Sequence, residues 1–81
     1  MNKTIESLIL SINNSKQLKE KLLSNLKSQN KKTIILNLVE LDFDFDNQEV
    51  EMIYYAVDDK YPNTKVDFLR LKEILESPTG L

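Results

Sequence analysis

The hydrophobic and polar positions divide the chain into short periodic segments. In the first, Ile5, Leu8, Ile9 and Ile12 fall at i, i+3, i+4 and i+7, the spacing of one helical face. This predicts a helix over 3–13, interrupted at Asn13-Asn14-Ser15. Ser15 has the chemistry of an N-cap for a second helix over 16–28. There Leu18, Leu22 and Leu26 repeat every four residues, until Ser28-Gln29-Asn30 ends the pattern. The segment Thr33–Leu41 reads two ways. Its β-branched Thr33-Ile34-Ile35 opening suits a buried strand. Its polar positions Thr33, Asn37, Glu40 and Asp44 instead recur at i, i+4, i+7 and i+11, a narrow helical stripe. A lone strand among helices would lack a partner, so the reading favours a central, buried helix over 32–41.

Next comes Leu41-Asp42-Phe43-Asp44-Phe45-Asp46, where period two replaces the helical spacing. On an extended backbone Phe43 and Phe45 share one side and the three aspartates the other. This stretch is either a stapled turn or a recognition element. Asp46 with Glu49 then resembles a capping box opening a fourth helix over 47–60, with Val50, Ile53, Tyr54, Val57 and Tyr61 as its apolar stripe and Pro62 as its end. Thr64 with Asp67 repeats the capping pattern before a fifth helix over 65–76, and Ser77–Gly80 closes the chain. The expected fold class is all-α, a compact bundle of about five short helices in one domain spanning 1–81.

Composition strengthens that expectation: one glycine and two prolines leave little room for hairpins. The absence of cysteine and histidine removes disulfides, thiolate chemistry, imidazole catalysis and the usual zinc ligands. No apolar run approaches the roughly 18 residues of a membrane span, and no secretory segment is visible, which predicts a soluble cytoplasmic protein without membrane contact. The net charge of −2 conceals an uneven distribution. Residues 1–40 carry seven lysines against three glutamates, whereas 41–81 carry ten acids against four bases. From Thr33 through Asp59 there are eight acids and no base. This predicts a basic protein partner for the second half, or attraction between the halves. The lysines are scattered and without interleaved aromatics, so nucleic acid is not an expected partner.

Asp42, Asp44 and Asp46 have the spacing of the first three ligands of a helix–loop–helix calcium site. Positions six and twelve of such a loop are Asn47 and Ile53, so the glycine and the bidentate glutamate are missing. No metal and no cofactor are expected. The carboxylates lie on predicted exposed faces, there is no glycine-rich phosphate loop, and the expectation is a protein without catalytic activity. Asp58-Asp59 is placed at a helix C-terminus, where the dipole disfavours negative charge; a frayed, solvated end accounts for this, and a contact with a partner is the alternative. Tyr54 belongs to the apolar stripe and Tyr55 to its rim, the composition of an interface anchor. The candidate partner-binding residues are Phe43, Phe45, Asp42, Asp44, Glu51, Tyr54, Tyr55, Asp58 and Asp59.

Two segments resemble a known family. Ser15-Lys16-Gln17-Leu18-Lys19-Glu20-Lys21-Leu22, and further on Leu38–Asp46 followed by Gln48-Glu49-Val50, resemble the nitrile-hydratase-like, nitrogen-fixation-type leader peptide domain of ribosomally made peptide precursors over 4–53. The resemblance implies a helical leader on which peptide-modifying enzymes dock, with Leu18, Phe43 and Phe45 at the motif positions. Leu41 stands where that family has glycine, and no Gly-Gly cleavage boundary follows, which implies a leader-like domain used on its own for binding. Glu51-Met52-Ile53-Tyr54-Tyr55 and the tail Ser77–Leu81 are similar to small acidic helical immunity proteins that neutralise nuclease bacteriocins. That likeness implies a second role, an acidic inhibitor meeting a basic toxin surface through Glu51, Tyr54, Tyr55, Asp58 and Asp59.

Overall fold

The first two helices form where the periodicity places them. The computed structural model describes residues 2–13 and 15–76; the expectations for Asn14 and for Ser77–Leu81 lie outside the described residues. Helix α1 spans Lys3–Asn13 and α2 spans Lys16–Ser28. Asn2 caps α1, its Oδ1 accepting from the Ile5 N–H at 2.9 Å, and Ser15 caps α2 by accepting from the Leu18 N–H at 3.2 Å. Gln29 ends α2 in the left-handed region at φ 52°, and its N–H reaches the Asn25 carbonyl.

Beyond residue 30 the all-α expectation fails. Four strands follow: β1 Thr33–Ile35, β2 Val39–Asp44, β3 Glu49–Tyr54 and β4 Thr64–Asp67, then helix α3 over Phe68–Glu76. They form an antiparallel sheet in the order β1-β2-β3-β4. The class is α+β, not a five-helix bundle, and neither 32–41 nor 47–60 is a helix. The physical reason lies in the alternation, which runs unbroken from Val39 through Asp44 with positions 39, 41 and 43 buried. A helix would turn those alternating acids into its own core, whereas a half-covered strand sends every one to solvent. The strand also has partners, because β1 and β3 flank it at full register.

The turn chemistry needs no glycine. Asp44 holds the β2–β3 turn by accepting from the Asn47 N–H at 3.2 Å and from Asn47 Nδ2 at 2.8 Å, and Gln48 takes φ 54°. Asp46 therefore sits in a turn rather than capping a helix. Asp67 is itself the cap of α3, its Oδ1 accepting from the Arg70 N–H at 2.7 Å, so β4 passes into α3 without a loop.

All three helices lie on one face of the sheet: α1 across β2 and β3, α3 against β3 and β4, and α2 packed on α1 and α3. The core joins Leu8 and Ile12, Leu22, Leu71 and Leu75 to the inward row of Ile34, Val39, Leu41, Phe43, Val50 and Met52. Thr4, Ser7 and Asn25 are the buried polar side chains among the described residues, and Asn25 donates to the Lys31 carbonyl and accepts from the Lys31 N–H, both at 2.9 Å. It fixes the path from α2 into β1. Asn25→Ala leaves both backbone groups without that partner and is expected to cost about 1–3 kcal/mol, read as a lower urea midpoint at unchanged slope.

Candidate functional site

With the helices on one side, no described element covers the other face of the sheet. It presents Ile35 from β1, Glu40, Asp42 and Asp44 from β2, Glu49, Glu51 and Ile53 from β3, and Lys65 and Asp67 from β4, each exposed or half-buried. The register sets acids directly opposite one another: Asp42 faces Glu51, Asp44 faces Glu49, and Glu49 also faces Asp67. Lys65, opposite Glu51, is the one base in this array. Among the described residues the single side-chain ion pair is Arg70 with Glu73 at 3.5 Å, on α3.

The crowding moves proton affinities in two directions. Glu40 is held above the usual carboxylate value by its hydrogen-bonded neighbour Asp42 and by that neighbour's charge. Asp44 is held below its usual value by the Asn47 side chain and backbone N–H that it accepts from. The stability tied to Glu40 is present below its unfolded value of 4.5 and fades as pH rises through its folded value. That tied to Asp44 is present above its unfolded value of 3.8 and fades as pH falls through its folded value. Glu40→Gln is therefore expected to flatten the fall in stability on the alkaline side of 4.5 while leaving the acid limb intact, as thermal melts across pH would record.

Of the residues singled out from sequence, Asp42, Asp44 and Glu51 lie together on this open face. Phe43 does not: it is 6% exposed and points into the core. Phe45, half-buried in the turn, stacks on Phe43 at 5.8 Å, and both meet Phe68 edge-on at 6.2 and 6.0 Å. The two rings are a staple for the β2–β3 turn. Tyr54, Tyr55, Asp58 and Asp59 are not on a helix. Tyr54 ends β3, and the others belong to the connection to β4, where Asp58 accepts from the Lys60 N–H at 2.9 Å.

That connection curls into a groove of about 390 Å³ at the end of β3. Tyr54 stacks on Tyr61 with ring centroids 3.9 Å apart at 14°, and Tyr55 tilts against Tyr54 at 4.7 Å. Desolvation within this cluster, reinforced by the neighbouring phenols, pushes the Tyr54 hydroxyl up to about 12. Sequence reasoning missed Glu40, Glu49, Asp67, Ile53 and Tyr61 as surface partners of the others. The acids at 40, 42 and 44 and at 49 and 51 carried the signal, since period-two acids opposite period-two apolar residues mark one wet sheet face.

No protein-family model, curated protein or solved structure matches this chain. Among the described residues no group of three or more acids is disposed to hold a metal ion, and no helix is long and apolar enough to cross a membrane.

Proposed function

We propose that this domain is a non-catalytic protein-binding module, of the small acidic inhibitor kind, that receives a basic partner protein on the open face of its sheet. The observation that carries the reading is the register. Like charges directly opposite on neighbouring strands destabilise a free sheet, yet three such pairs stand side by side here. A basic surface laid on the face would relieve all three repulsions together, turning a liability of the free protein into complementarity in the complex. Glu51–Tyr54, the segment similar to a helix of acidic immunity proteins, is strand here, so the reading rests on the charge of the open face and not on that likeness. The leader-like resemblance puts Phe43 and Phe45, on β2 and its following turn, at motif positions. That region offers its acids to a partner, because the rings of Phe43 and Phe45 are engaged with Phe68.

The experiment is a paired capture with the wild-type chain and the Asp42→Lys/Glu49→Lys variant as baits. A basic protein retained by the first and lost by the second, with the variant still folded, is the expected result. Identical captured sets from both baits would sink the proposal.

A further inference from the structure

The groove beside the acidic face has a chemistry of its own. All three tyrosines of the chain converge on it, and its walls carry two carboxylates and no base. Tyr54 and Tyr61 are stacked face to face at 3.9 Å, so they close against each other and form a rigid wall rather than an open cage. Tyr55 is 69% exposed and presents the accessible ring. Asp58 spends its Oδ1 on the Lys60 N–H, and among the described residues no hydrogen bond reaches its second oxygen or the Asp59 carboxylate. The groove also runs onto the acidic face, since Ile53 lines it and stands opposite Glu40 in the sheet.

From this geometry we infer that the groove is a seat for a guanidinium group, an arginine side chain projecting from the basic partner. The inference rests on the proposed basic partner and names the residue that anchors it. One available ring face with carboxylates at its edge suits a planar cation. Guanidinium can lie flat on Tyr55 while its in-plane N–H groups donate to Asp58 and Asp59. A quaternary ammonium has no N–H to donate and calls for several rings around it, which the Tyr54–Tyr61 stack does not provide. A lysine ammonium is a compact, strongly hydrated charge and gains less from a single ring.

Oligoarginine and oligolysine peptides of equal length, titrated into the full chain, test this directly. The chain has no tryptophan, so intrinsic emission reports on the tyrosines, all of which lie in the groove. Oligoarginine is expected to bind roughly fivefold to tenfold more tightly, the scale of a cation–π contact with a charge-assisted hydrogen bond, and to change the tyrosine emission. Tyr55→Ala, and separately Asp58→Asn/Asp59→Asn, should bring the two peptides to parity; asparagine at 58 keeps the Oδ1 acceptor for Lys60. Equal affinity for both peptides in the wild type, an arginine preference that survives both variants, or displacement by tetramethylammonium as effective as by guanidinium would each overturn the assignment. The sheet-face reading fails separately. If Asp42→Lys/Glu49→Lys leaves both affinities unchanged while Tyr55→Ala still removes the preference, the groove stands and the sheet-face reading falls.

Discussion

Met52→Ala is expected to remove a large share of the stability of this domain, while Ile53→Ala, one residue along, costs little. Met52 is fully buried at the middle of β3, directly opposite Leu41 on one side and Thr64 on the other. Truncating such a side chain costs about 2–5 kcal/mol in lost transfer energy and residual cavity. A domain of 81 residues has only about 4–12 kcal/mol in all, so this loss is a large fraction of the total. Ile53 stands half-buried on the open face, where truncation costs about 1 kcal/mol or less. The contrast is diagnostic because a helix over 47–60 reverses it, placing Ile53 in the apolar stripe with Val50 and Tyr54. Urea unfolding followed by circular dichroism reads both variants. An Ile53→Ala midpoint as low as that of Met52→Ala would refute the sheet register.

The second large effect joins stability to binding. Asp42→Lys/Glu49→Lys turns the pairs 42–51, 44–49 and 49–67 from repulsive to attractive and moves the net charge from −2 to +2. Each cross-strand pair is worth roughly 0.2–1 kcal/mol, so a gain of about 1 kcal/mol is expected even after Thr33 loses its 3.1 Å hydrogen bond to Asp42. In a domain of this size that raises the melting temperature by about 4–8 °C. The same substitutions should weaken the basic partner by about 2 kcal/mol or more, some thirtyfold in Kd. Added salt should narrow the stability gap between the two proteins, because the wild-type repulsion is the part that ions screen. A variant that is less stable than the wild type at low salt would refute the account of the face as a strained array.

The parts of this fold legible in sequence are those where one period acts alone. In α1 and α2 a 3.6-residue pattern sits between identifiable caps, and the boundaries fall where Ser15 and Gln29 put them. From Thr33 onward two periods compete within the same residues. Thr33, Asn37, Glu40 and Asp44 do fit a helical stripe, but Asn37 lies in the β1–β2 turn, so it belongs to no face at all. Scarcity of glycine argues against hairpins, but hydrogen bonds that the Asp44 carboxylate accepts from Asn47 and a left-handed Gln48 fill that role at the β2–β3 turn. Helix α3 was half-legible for a related reason: Asp67 caps it, but the preceding residues pair with β3 instead of joining the helix. The candidate site followed the same division. The acids were visible as a composition, whereas their pairing across strands depends on register, which only the closed sheet fixes. Asp58 and Asp59, which the sequence sets at an unfavourable helix end, lie instead in the loop that lines the groove.

The chain's own order of synthesis gives the first turn of α1 a particular meaning. Thr4 donates its hydroxyl to the Pro62 carbonyl at 2.6 Å, and Asn2 donates to Thr64 Oγ1 at 2.7 Å. These bonds join residues 58 and 62 positions apart, while the strands between them pair with immediate neighbours. Local hairpins form early and long closures late, so the meander can assemble as it leaves the ribosome while α1 waits for β4. The tyrosine loop is thus clamped by α1 only once β4 is in place, so the groove and the last strand of the acidic face are closed by the same long-range bonds.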